Sequence, residues 1–271
     1  MKPMPHRARQ VALVLPLLVV AAAATTACDI AMADLRQKET AEWRKTYDVK
    51  PGGRLEISNV NGRIDVEPAT GDSVEVVAEK SVRAASAEAA KDALNRIEIQ
   101  EHVSPDNVRI ETKVQRAPGS FFGGMNQEVH YKVKVPAALE VRVSTVNGGI
   151  DLTGLKGRVI AEATNGGVKA REVSGPIDAS TTNGGVEVDL AQVTNSGAKL
   201  GCTNGGIKLT LPADAKASIS ARITNGGINT SGVNIETTGE SSRRRLEGRM
   251  NGGGPRIDIE GTNGGIRIAS R

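Results

Sequence analysis

Apolar and polar residues alternate through most of the chain. From Arg54, "RLEISNVNGRIDVE" keeps this alternation on both sides of an Asn-Gly, which predicts a strand, a tight turn and a second strand. "DSVEVVAEKSV" continues as strand. The period then changes. In "AASAEAAKDALNRIEIQ", Ser86 can cap an Ala-rich helix running to about Arg96, and Ile97 returns to strand alternation. Further strands are expected over about 108–113 and 129–135, separated by "QRAPGSFFGGMNQ".

From Val141 onward one unit recurs. Asn147, Asn165, Asn183, Asn204, Asn225 and Asn263 are each followed by Gly-Gly, and Asn61 by Gly-Arg. The first two intervals are 18 residues and the next two 21; the last, 38 residues, has room for two units and contains Asn251-Gly-Gly-Gly. Six residues before each Asn stand Val141, Val159, Ile177, Ala198, Ile219 and Ile257. Four before stand Val143, Ala161, Ala179, Leu200, Ala221 and Ile259, and three after stand Ile150, Val168, Val186, Ile207, Ile228 and Ile266. These columns predict the core: two-residue steps on each side, with the parity broken across Asn-Gly-Gly where the chain turns.

Gly accepts positive φ freely and Asn tolerates it well, so the Asn-Gly-Gly residues are expected as structural turns. Asn-Gly is equally a hairpin signal, which keeps an antiparallel meander open. The outward column four residues after each Asn separates the two. It reads Asp151, Lys169, Glu187, Lys208, with Arg171 facing Asp189 two residues on, so signs alternate at a lag of one repeat. Direct neighbours in register would show this pattern, and stacked Asn side chains could bond along the corner. The reading favoured is an all-β, single-stranded β-helix (β-solenoid) of 18–21-residue coils with Asn-Gly-Gly corners and one short N-terminal helix.

Aromatics make up only 2% of the 271 residues, so Val, Ile, Leu, Ala and Thr must fill the core, which suits thin stacked layers. The net charge of +4 is concentrated at the start. Removing Lys2, Arg7 and Arg9 leaves 35 − 3 = 32 basic against 31 acidic residues, which removes the electrostatic case for nucleic acid. Those basic residues precede the apolar run "VALVLPLLVVAAAA" of 14 residues, short of the roughly 20 that span a bilayer, and then small residues: an export signal. "TTAC" reads as a lipobox with lipidation at Cys28, and "AMA" as an ordinary cleavage site ending at Ala33. The expected organisation is signal peptide 1–27 (1–33 with ordinary cleavage), tether 28–48 and β-solenoid domain 49–271. Cys202, the one other cysteine, falls in a column with Thr145, Ala163, Thr181 and Ile223 and reads as small core rather than as a disulfide partner.

No catalytic motif is present: G-x-S-x-G, a Walker loop, C-x-x-C and H-E-x-x-H are all missing. His102 and His130 lack local partners at ligand spacing, so no metal is expected. The glycine pairs lead into strands rather than helices and do not cradle phosphate, and "NGGGPRID" fits a calcium nonapeptide poorly. No cofactor is expected either. Two surface features could make contacts. Phe121 and Phe122 either fold onto the core or meet a partner or membrane. Arg243, Arg244 and Arg245, with Arg249, form a solvated loop or a site for an anionic glycan or lipid.

The run from "GRLEISNVNGRIDVE" through a short helix to "YKVKVPAALEVRVSTVNGGIDL" and the "TNGGV/I" units ending "GGGPRIDIEGTNGGIRI" resembles the bacterial putative-adhesin family of β-strand-repeat domains of unknown function. The resemblance covers nearly everything after residue 45. It implies a single-stranded β-helix on an exported protein or lipoprotein and brings no catalytic residues. "TTAC" departs from the Leu that usually opens a lipobox. The function expected is a non-enzymatic cell-envelope scaffold or adhesin-like binding protein for an envelope protein or glycan. A carbohydrate-active lyase or hydrolase and a periplasmic signalling partner are the alternatives. Membrane contact is expected only through an acylated Cys28. The C-terminal "GGIRIAS" has no evident cap, so weak end-to-end self-association is also expected.

Overall fold

The structure, a computed structural model, describes residues 37–115, 126–239 and 241–271. Its N-terminal part consists of strands β1 (Gln37–Asp48), β2 (Arg54–Asn61), β3 (Ile64–Pro68) and β4 (Ser73–Ala84), helix α1 (Ala87–Asn95), then β5 (Ile97–Val103), β6 (Asn107–Val114) and β7 (Asn126–Val135). The repeats supply strand pairs: β8 (Glu140–Asn147) with β9 (Ile150–Thr153), β10 (Val159–Asn165) with β11 (Val168–Val173), β12 (Ile177–Asn183) with β13 (Val186–Leu190), and β14 (Ala198–Asn204) with β15 (Ile207–Leu211). The chain closes with β16 (Ala217–Ser231), β17 (Ile235–Thr237), β18 (Arg245–Met250) and β19 (Arg256–Ser270). The expected helix is there, its N-cap Ser86 Oγ accepting from the Ala89 N–H at 3.1 Å while Ala90, Ala93 and Leu94 turn inward.

All the strands belong to one hydrogen-bonded sheet, rich in parallel pairs and solenoid-like. Two parallel ladders run through it. In the first, β2, β8, β10, β12 and β14 pair so that Asn61, Asn147, Asn165, Asn183 and Asn204 are successive partners. In the second, β3, β9, β11, β13 and β15 align Ile64, Ile150, Val168, Val186 and Ile207. This parallel pairing of successive repeats excludes the antiparallel meander for these strands. The inward columns of both ladders fall in one hydrophobic cluster, with Val141, Val143, Ile150 and Val168 fully buried.

Three expectations change. Residues 37–48, assigned to a polar tether, form β1 and pair antiparallel with β4 over their whole length. Ala41 and Trp43 pack on the core and Tyr47 is buried, its hydroxyl donating to Glu101 at 2.6 Å, so the segment carries a period-2 inner face beneath its charges. The repeats also do not stack in chain order. The partner of Asn204 is Asn263, and Asn263 in turn pairs with Asn225, so β19 lies between β14/β15 and β16. The cause is the excursion through β17 and β18. β18 runs antiparallel along β16, and β19 returns into the slot where both its edges are paired. The C-terminal strand is therefore internal, which removes the premise for self-association through it. Ile228, on terminal β16, is only partly buried. Finally, Arg171 does not meet Asp189. The register shifts after Ala170, and Glu172 takes φ +54°, so Arg171 reaches Asp151 at 3.8 Å while Asp189 pairs with Arg271 at 3.3 Å.

Candidate functional site: a glycine-floored groove

In the spatial order Asn61, Asn147, Asn165, Asn183, Asn204, Asn263, Asn225, each Asn after the first donates from Nδ2 to the Oδ1 of the one before it, at 2.7–2.9 Å. The strands β2, β8, β10, β12 and β14 end at these residues, whereas β16 and β19 continue through theirs. All seven side chains are hydrogen-bonded to one another in a single direction along the stack, as expected for a ladder of identical residues in register.

The two glycines after each Asn differ. At Gly205 φ is +147°, and an added Cβ would lie 1.6 Å from the carbonyl oxygen of Gly184. The same clash with a neighbouring carbonyl, at 1.7–2.2 Å, recurs at Gly148, Gly166, Gly184, Gly264 and Gly226. Backbone cannot yield as a side chain can, so only Gly fits here. At Gly206 the nearest atom to an added Cβ is 3.6 Å away, an ordinary contact, and Gly149, Gly185, Gly227 and Gly265 are equally permissive at 3.5–3.9 Å. Gly167 is tighter, at 3.3 Å. The first repeat carries Arg63 at this position.

Gly167, Gly185, Gly206, Gly265 and Gly227 form the floor of a shallow groove of about 520 Å³ crossing the strands. From Gly167 to Gly227 it passes four strand spacings, about 19 Å. One wall is the outward column Lys169, Glu187, Lys208, Arg267 and Asn229, whose members are successive register partners. Lys208 donates to Glu187 at 2.6 Å and holds that carboxyl below its ordinary range. Beyond Gly149 lies Arg63, which bridges Asp151 at 3.6 Å and Asp65 at 3.9 Å and so relieves two like charges in register.

Beside Arg63 the structure assembles a charged cluster that sequence reading missed. His130 Nε2 lies 2.7 Å from Asp65 Oδ2, and Lys132 donates to Glu79 at 2.6 Å, which lowers the Glu79 pKa and raises that of Lys132. His130 and Asp65 are 65 residues apart and meet only because β7 pairs with β3, so no local spacing announces them. The carboxylates here are tied to basic side chains. Among the described residues there is no group of three His, Cys, Asp or Glu arranged for a metal.

Of the other candidates, Cys202 is buried and free of any disulfide. Its thiol donates to the Gly184 carbonyl at 3.3 Å, and burial raises its pKa. Arg243 and Arg244 accept, through their carbonyl oxygens, from the N–H groups of Ile228 and Ile223 at 2.9 Å. Their main chain thus covers the outer edge of β16. Arg245 donates to Glu247, which Arg222 also reaches, and the two guanidiniums lower that carboxyl's pKa. Cys28, Phe121 and Phe122 lie outside the described residues. No helix among the described residues is long and apolar enough to cross a membrane.

No curated protein matches the chain in a sequence search. Among solved structures it is similar to a "putative cell adhesion protein" from Clostridium sporogenes, with 11% identity, 85% of this chain and 100% of the other covered, and a TM-score of 0.43. It is also similar to a "putative adhesin" from Bacteroides fragilis, at 13% identity, 85% and 97% coverage and TM-score 0.23. A "putative lipid binding protein" from Parabacteroides distasonis matches at 11% identity, 87% and 97% coverage and TM-score 0.25. Residues 138–269, which hold every Asn-Gly-Gly repeat, match the family model described as Toastrack DUF4097. Those residues form a Toastrack DUF4097 domain.

Proposed function

We propose that the protein is a non-enzymatic, exported binding scaffold of the cell envelope, holding an extended surface ligand, glycan or protein, in the glycine-floored groove. One observation carries this reading: of the five second glycines that floor the groove, four have no steric reason to be glycine, yet together the five leave one wall-lined strip of surface bare. A side chain at any of them would occupy the groove. The body is read as a single-stranded β-helix whose 18–21-residue coils turn at Asn-Gly-Gly, which sets amides and charges at strand spacing along the groove. Export is supported by the basic, apolar and small segments of residues 1–33, with anchoring through an acylated Cys28 or cleavage after Ala33. The intact mass of the N-terminal peptide separates these two outcomes.

A glycan array and envelope crosslinking, run on the wild type and on Gly185→Leu/Gly206→Leu, test the proposal. Binding that disappears in the variant while its thermal unfolding is retained supports it. Binding unchanged by the two leucines places the ligand elsewhere. Hydrolase and lyase assays on the same glycans complete the test, because turnover of any polymer replaces the scaffold with an enzyme.

A further inference from the structure

The second ladder continues past β3 through β7 and β4 to β1, and on its far side β1 pairs with no strand among the described residues. Such an edge offers a row of free N–H and C=O groups, and charged residues commonly protect it. Six of the twelve residues of β1 are charged: Lys38, Glu39, Glu42, Arg44, Lys45 and Asp48. Their order has a further property. A two-fold axis normal to the sheet pairs β1 with its own copy antiparallel, and residues on the same face must then oppose one another.

Centring that axis on Trp43 sets Lys38 opposite Asp48, Thr40 opposite Thr46 and Glu42 opposite Arg44 on the outer face, each twice. On the inner face Trp43 meets Trp43, an aromatic cross-strand pair. Moving the axis to Glu42 opposes Glu42 to itself, and moving it to Arg44 opposes Arg44 to itself. Each shift costs a like-charge contact at the centre. The charges that would repel an arbitrary strand therefore complement one register of one partner. Within a single chain, Arg44 already donates to Glu42 at 3.0 and 3.2 Å, so both side chains lie on the surface this pairing would use.

We propose that β1 is a homodimerisation edge, the partner being a second copy of this chain paired antiparallel about Trp43, so that the second ladders of the two protomers join into one sheet. Sedimentation velocity of the purified full chain over a concentration series tests it, with Trp43, the single tryptophan, as a fluorescence reporter on dilution. The wild type is expected to show a monomer–dimer equilibrium whose dissociation shifts Trp43 emission. Glu42→Arg alone and Arg44→Glu alone each place like charges opposite one another twice per dimer and should weaken it roughly tenfold or more. The exchange Glu42→Arg/Arg44→Glu restores both pairs and should restore the dimer. Thermal unfolding of each variant shows whether the monomer is intact. A wild type that stays monomeric throughout overturns the proposal, as does a dimer indifferent to the single reversals or not recovered by the exchange.

Discussion

At Gly205 an added methyl would sit 1.6 Å from a carbonyl oxygen, and at Gly206, the next residue, 3.6 Å from one. The two columns they represent run side by side along the stack and, from Gly148 and Gly149 onward, are identical in sequence. One is fixed by the backbone of its neighbour. The other, Gly167 apart, meets no steric obstacle in the fold. Glycine at a required position reports on architecture; glycine at an optional position, recurring from repeat to repeat, reports on the surface it leaves open.

Several substitutions can break or sharpen this contrast. The largest effect is expected at the first column: Gly166→Ala forces Cβ to 1.9 Å from the Gly148 carbonyl and should cost at least about 3 kcal/mol in urea unfolding. Asn204→Ala comes next. It removes the bonds to Asn183 and from Asn263, and because both are exposed their loss should cost about 1–2 kcal/mol together. Gly167→Ala sharpens the comparison from the other side, since 3.3 Å is the tightest contact of the second column; the change should stay within about 1 kcal/mol of the wild type.

The smallest effect belongs to the groove wall. Glu187 and Lys208 are both exposed, so a double-mutant cycle with Glu187→Lys and Lys208→Glu should give a coupling of about 0.2–1 kcal/mol that shrinks as salt is added. The pH dependence has a definite sign. Lys208 lowers the Glu187 pKa in the folded state, so its stabilisation is present above the unfolded carboxylate value of about 4.3 and fades as pH falls through the folded value. Lys208→Met should remove that part of the acid dependence in thermal unfolding between about pH 5 and pH 3.

Much of the repeat body is legible in the chain. Val141, Val143 and Ile150 recur at fixed offsets from Asn, and those columns are the buried ones. The charge alternation at Asp151, Lys169, Glu187 and Lys208 reports real neighbours because outward residues of adjacent parallel strands stand opposite one another. What escapes the sequence is decided at a distance. Asn225 and Asn263 sit in near-identical units, so nothing local says which adjoins Asn204; the course of residues 232–255 decides it. β1 hides an inner face of Ala41, Trp43 and Tyr47 under polar residues, and pairing with β4 brings it out. The bulge at Glu172 turns Arg171 away from Asp189 without any glycine to mark it. Asp65 and His130 have no common motif, and the groove was invisible because both glycines of a pair read alike.

The division between the two glycine columns is tested most directly by measuring unfolding free energies of Gly205→Ala and Gly206→Ala in the same urea titration. The account predicts a loss of at least about 3 kcal/mol for Gly205→Ala. For Gly206→Ala it predicts a change between zero and about 1 kcal/mol in the stabilising direction, since alanine restricts the unfolded chain and meets no obstacle in the folded one. Comparable losses at both positions would contradict it: the second glycine would then be a requirement of the fold, and the bare groove its by-product.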